Sequence, residues 1–204
     1  MAGTKVIGTK EAMQAIRNCR VLRWDEHPLF PGAPLRPGRP LREWDGSNVY
    51  TIDDQSIGVD IAEIEAKVYR CGEDDLDLDL SFSEGASVLN FTADPLVNLV
   101  HLRFNPPVKA VGTHITGPKR DGGKYKVSCI VILDDGSKDT PFSEAPQGKF
   151  SSDRNTAPFV GIQVVGSKRI VELYCDILPT GTRDVDSEAD VAISDLYFVP
   201  DEPV

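Results

Sequence analysis

The chain has 204 residues, 40% of them apolar and 26% charged, enough to bury one large core. Its formal net charge of −10 repels phosphate backbones, which excludes general nucleic-acid binding. No apolar run reaches the roughly 18 residues of a membrane span, and Met1 to Arg20 lacks a signal peptide's apolar stretch, so the chain as written is expected to be cytoplasmic or particle-associated, or exported by another route.

In chain order, Thr9 to Cys19 reads as a short helix. The Thr9 hydroxyl is placed to accept a free backbone N–H of the first turn, and Ala12, Met13 and Ile16 form a narrow apolar stripe. Trp24 to Trp44 carries Pro28, Pro31, Pro34, Pro37 and Pro40 at three-residue spacing. Proline fixes φ and removes a donor, so this stretch predicts an extended arm and not a central strand. The same arm holds Arg36, Arg39 and Arg42, the one local basic run. Asp75 to Phe82 alternates strictly and predicts a strand with Leu76, Leu78, Leu80 and Phe82 on the core face.

From Leu96 onward the β pattern is continuous. Leu99 to Phe104 and Val108 to Ile115 read as successive strands separated by Asn105-Pro106-Pro107. Gly117 to Lys124 reads as a turn, and Tyr125 to Leu133 as a long strand closed by the hairpin signal Asp134-Asp135-Gly136-Ser137. Residues 138 to 157 are polar and predict a long loop with at most an edge strand. Phe159 to Val165, Ile170 to Ile177 and Val191 to Val199 are the last three strands. Short strands at this spacing give a mainly β fold, an antiparallel jelly-roll-like β-sandwich over residues 49–204, preceded by a helix and Pro-rich arm over residues 1–48.

The four cysteines, Cys19, Cys71, Cys129 and Cys175, form no C-x-x-C pair, which disfavours a zinc knuckle or redox motif. Cys129 and Cys175 fall in apolar strands and read as small core residues; a disulfide pairing is left open.

Three segments carry a family resemblance over about residues 96–199. Phe104-Asn-Pro-Pro-Val-Lys-Ala-Val-Gly-Thr-His-Ile115 resembles the "F-x-x-P-V-x-A-V-G-x-x-I" hairpin of a jelly-roll-like β-sandwich domain found in PEP-CTERM-associated exported bacterial proteins. Val131 to Gly136 is similar to that family's strand and turn. Phe159-Val-Gly-Ile162 and Val191 to Phe198 are similar to its "F-F-G-V" and closing "A-I-D-D-L-x-F" strands, with Ser194 where the family often has Asp. Trp24 to Pro28 is placed where the family opens. The resemblance implies a lectin-like or carbohydrate-binding-module-like sandwich. By the same analogy it implies a structural calcium between opening and closing strands, with Asp25 and Asp195 as the metal pair.

A sugar site needs an aromatic face and nearby polar groups. Trp24 and Trp44, with Asp45, Asn48 and Tyr50, are the residues that supply them; the plainer reading has both tryptophans pinning the arm to the sandwich. Asp75, Asp77 and Asp79 lack the glycine of a calcium loop and suit an edge kept from aggregating. His101 and His114 fall on what read as consecutive strands, within reach of each other. Gly112 is a position where a neighbouring backbone or ring approaches closely, or one that marks a bulge. No H-E-x-x-H, G-x-S-x-G or P-loop is present, so no catalytic residue is named and no enzyme is expected. The first reading is a non-catalytic module whose partner is a glycan. The alternative is a structural or assembly subunit (virion, other particle or surface layer) that contacts protein partners or further copies through the N-terminal arm.

Overall fold

The computed structural model describes residues 3–24, 48–52, 55–60, 65–70, 82–83, 86–93, 99–116, 124–142, 146–149, 156–180 and 189–201. The Pro-rich stretch 25–44 with its arginines, and Asp75 to Ser81, lie outside the described residues, as do Asp25, Trp44, Asp45, Cys71 and the turn 117–123.

Among the described residues the chain forms fourteen strands and one helix, with every strand pairing antiparallel, as the mainly β jelly-roll-like sandwich requires. The elements are β1 (Gly3–Ile7), α1 (Lys10–Gln14), β2 (Arg20–Leu22), β3 (Asn48–Ile52), β4 (Gln55–Asp60), β5 (Glu65–Arg70), β6 (Ser87–Ala93) and β7 (Leu99–Thr116). They continue with β8 (Lys124–Leu133), β9 (Lys138–Asp139), β10 (Gln147–Lys149), β11 (Phe159–Val165), β12 (Ile170–Thr180), β13 (Ala189–Ile193) and β14 (Leu196–Pro200). The alternation read from sequence explains the central pair. Tyr125, Val127, Cys129, Val131 and Leu133 of β8 and Leu173, Cys175 and Ile177 of β12 are buried, while Lys126 and Ile130 are exposed. The turn 134–137 follows as expected, with Gly136 at φ 78. The polar stretch after it carries two short edge strands, β9 and β10, both hydrogen-bonded to β8.

Strand β7 organises the sheet and corrects the expected break at Asn105-Pro106-Pro107: it is one strand of 18 residues. Its first half pairs with β4 on one edge and β12 on the other; its second half pairs with β14 and β11. Pro106 and Pro107 stand where β4 has ended at Asn105 and β14 has yet to begin at Val108. On the other edge β12 skips from Arg103 to Val108. A missing N–H therefore removes no ladder bond, and the strand continues. Lys109 is an extra residue between Val108, opposite Pro200, and Ala110, opposite Val199. This bulge reverses the alternation. Val100, Leu102, Phe104 and Val108 face the main core before it, and Val111 and Ile115 after it.

The closing segment also differs from expectation. Residues 191–199 form two strands, β13 and β14, that pair with different partners: β13 with β6 and the end of β7, β14 with β2 and the middle of β7. Ser194 and Asp195 make the step between them. Leu89 of β6 and Val191 and Ile193 of β13 close the core opposite β7, β8 and β12. Each such fully buried aliphatic side chain stabilises the sandwich by roughly 1.5–3 kcal/mol.

The first residues are built into this sheet. β1 pairs with β11 and β2 with β14, so residues 3–24 are part of the sandwich and not a separate arm. Helix α1 begins as read: the Thr9 hydroxyl accepts from the Ala12 N–H at 3.2 Å. Met13, fully buried, sits with Ile7, Ala110, Phe159, Tyr197 and Val199 on the outer side of the sheet.

Candidate functional site

The step at Ser194-Asp195 ties the opening to the closing strands. The Trp24 indole N–H donates to the Ser194 carbonyl at 2.7 Å, and Thr113 Oγ1 donates to the same oxygen at 3.0 Å. The Trp24 backbone N–H donates to Ser87 Oγ, whose hydroxyl donates to Asp195 Oδ1 at 2.8 Å. Trp24 has 0% exposure, so its ring is a core residue and offers no face to a sugar. This corrects its assignment as a stacking platform: the indole fills the core at the end of β2, and its one polar atom is satisfied there. Asp195 therefore accepts from a hydroxyl beside the chain that leads to Asp25, and no group of three or more metal-ligating side chains occurs among the described residues.

The other sugar candidates fall differently. Asn48 and Tyr50 lie on β3, next to β4. The backbone register sets Tyr50 opposite Ile57 and Ile57 opposite Phe104. Trp44 and Asp45 precede β3, outside the described residues.

The two histidines are not neighbours on consecutive strands. Both stand on β7, His101 in its first half and His114 in its second, and each meets different partners. His114 packs edge-on against Phe159, ring centroids 5.1 Å apart, beside α1. Burial and then the Lys10 ammonium push its pKa down to about 4, with Glu11 opposing, so it is neutral at neutral pH. Phe159 lies flat over Gly112 and Gly161, where a Cβ on Gly112 would stand 2.6 Å from the ring. The close ring approach expected at Gly112 is thus observed.

His101 belongs to a different surface. It is opposite Tyr174 of β12, and Tyr174 is opposite Ile130 of β8, so the three share one row on the outer side of the sheet. The His101 and Tyr174 rings stack, with centroids 4.0 Å apart and an interplanar angle of 13°. Glu172 bridges them. The Tyr174 hydroxyl donates to Glu172 Oε2 at 2.6 Å and the His101 Nε2–H donates to the same oxygen at 2.9 Å. The Tyr174 hydrogen bond is the largest influence lowering the Glu172 pKa; burial opposes it, and His101 and Arg103 add to it. The group is thus a carboxylate at neutral pH. Arg103, exposed, stands opposite Glu172, and Ile130 keeps 38% of its surface exposed.

This row combines a pair of rings stacked on each other, an aliphatic neighbour, a carboxylate and a guanidinium on one side of the sheet. The sequence did not nominate it. Alternation in 99–104 and 170–177 already puts His101, Arg103, Glu172 and Tyr174 opposite the apolar residues. Only the β7–β12 register, across about 70 residues of chain, makes them neighbours.

No family model matches the chain, and no curated protein matches it. Among solved structures, it is similar to the CBM22-1 xylan-binding domain of Paenibacillus barcinonensis Xyn10C, with 10% identity, 68% of this chain and 83% of that one covered, and a TM-score of 0.33. It is similar to TmCBM61 in complex with β-1,4-galactotriose, with 13% identity, 73% and 90% coverage, and a TM-score of 0.27. It is also similar to the low-affinity xylan-binding module CBM86 of Roseburia intestinalis, with 11% identity, 88% and 93% coverage, and a TM-score of 0.25. At these scores the sandwich rests on the chain's own strand pairings.

Proposed function

We propose that the chain is a non-catalytic glycan-binding β-sandwich module, with its ligand seated on the outer face of the β4–β7–β12–β8 sheet. The observation that carries this reading is the row His101–Tyr174–Ile130 with Glu172 and Arg103 beside it. A pyranose presents an apolar C–H face and a rim of hydroxyls. The stacked rings and Ile130 match the first; the Glu172 carboxylate accepts from, and Arg103 donates to, the second. The stack and its two hydrogen bonds hold the side chains before any ligand arrives, which reduces the ordering cost of binding. Trp44 and Asp45 belong to the proposal as flanking residues, because they lead into β3, which joins this same sheet through β4. Asp25 with Asp195 remains the proposed seat of a structural calcium.

The test is titration of the folded chain with xylan and β-1,4-galactan oligosaccharides and with a broad glycan array. Saturable binding that falls at least about tenfold in Tyr174→Ala supports the reading, since a lost stacking contact of about 1.4 kcal/mol is a factor of ten. A folded wild-type chain that binds no glycan ends it. The alternative, an assembly subunit, is separated by mass measurement in solution: a concentration-independent monomer with glycan affinity excludes it as the main role.

A further inference from the structure

Cys129 of β8 and Cys175 of β12 are register partners in the middle of the longest-paired strands of the sheet. Both side chains are buried, and their sulfur atoms stand 2.9 Å apart. Register partners on antiparallel strands have Cα atoms about 4.5 or 5.5 Å apart, and both spacings lie inside the range that a disulfide spans. Cys19, only half-buried, stands in the separate cluster beneath α1, next to β2. We infer that Cys129 and Cys175 are a cross-strand disulfide site, closed by exchange with a small-molecule disulfide such as oxidised glutathione. The next register row on the outer face is Tyr174 opposite Ile130, so the link would fasten the two strands that carry the proposed sugar face.

The chemistry balances in two exchanges. One cysteine, as thiolate, attacks a sulfur of the glutathione disulfide; an S–S bond forms to the protein and one glutathione leaves as thiolate. The second cysteine then attacks the protein-side sulfur and expels the other glutathione. Two protein thiols are oxidised, one small disulfide is reduced to two thiols, and the two protein protons pass to the glutathiones. In the closed fold, burial, followed by the hydrogen bond and charge of Cys129, drives the Cys175 pKa well above the usual thiol range. Oxidation is therefore confined to the open chain: it occurs during folding or when β8 and β12 separate.

The experiment is to refold the full chain from denaturant in mixed reduced and oxidised glutathione. Remaining thiols are then blocked in denaturant at low pH, and the chain is digested without reductant for mass spectrometry. The expected result is a linked pair of peptides holding Cys129 and Cys175, with Cys19 and Cys71 carrying the blocking group. A natively folded product in which Cys129 and Cys175 are both blocked, or either is joined to Cys19 or Cys71, overturns the inference. As a second measurement, the Cys19→Ser/Cys71→Ser variant treated the same way should show no titratable thiol until a reductant is added, and two afterwards. Two thiols before reduction contradict the assignment.

Discussion

Along the outer face of β7, residues 110–114 and residues 101–105 belong to one strand yet carry opposite chemistry. In the second half, Ala110, Gly112 and His114 lie with Phe159, Tyr197 and Val199, and α1 roofs them with Met13 and the half-buried Ile16. The residues on the strand are small, so rings lie flat on the backbone and a short helix can approach. In the first half, His101, Arg103 and Asn105 are large and polar, and Arg103 and Asn105 are exposed. No described helix covers them. The Lys109 bulge is what allows both halves to keep the main core on the same inner side while the outer rows differ. One half of the face is packed beneath the helix; the other is the proposed sugar face.

Substitutions should separate the two halves. The largest effect is expected for Met13→Ala, which removes a fully buried side chain beneath α1 and should cost about 2–4 kcal/mol in chemical denaturation. Gly112→Ala should follow, at about 1–3 kcal/mol, because its Cβ would stand 2.6 Å from the Phe159 ring and 3.1 Å from Gly161 Cα. Neither should change glycan affinity where the protein remains folded. An affinity loss in Met13→Ala would break the division between the halves.

His114 makes the covered half sensitive to acid. Its folded pKa of about 4 lies below the ordinary 6.5, so the unfolded chain takes up its proton first. The contribution to stability is constant above about pH 6.5, falls as pH drops toward 4, and levels off below that. Thermal melts of the wild type should show this decline by up to about 3 kcal/mol, and His114→Gln should flatten it. The smallest stability effect is expected on the bare half. Tyr174→Ala and Glu172→Gln alter a partly exposed cluster and should each cost under about 1 kcal/mol. A loss of several kcal/mol there would show that the row is structural.

Much of the scaffold was legible in the sequence for local reasons. β8 and the start of β12 follow from alternation, β11 from its short apolar run, the turn at 134–137 from Asp-Gly, and the start of α1 from the Thr9 cap. Gly112 was legible as a close approach, though not its partner Phe159. What failed depended on pairing. Pro106 and Pro107 read as a strand break because the sequence does not show that both edges change partner there. Ser194-Asp195 read as strand interior because its bonds go to Trp24, Ser87, Thr113 and His114, far away in the chain. β1, with three exposed positions among five, has too little apolar pattern to announce a strand. The candidate site failed for the same reason: aromatic content pointed to Trp24, which is buried, while the stacked pair needs a register to exist.

The most direct measurement is calorimetric titration of wild type and Tyr174→Ala, both shown to be folded by circular dichroism, with the glycan that the array selects. Saturable wild-type binding is expected, at least about tenfold weaker in the variant, with melting temperatures within a few degrees of each other. Equal affinity in the two proteins, or no heat of binding in either, would contradict a sugar face on the uncovered half of β7.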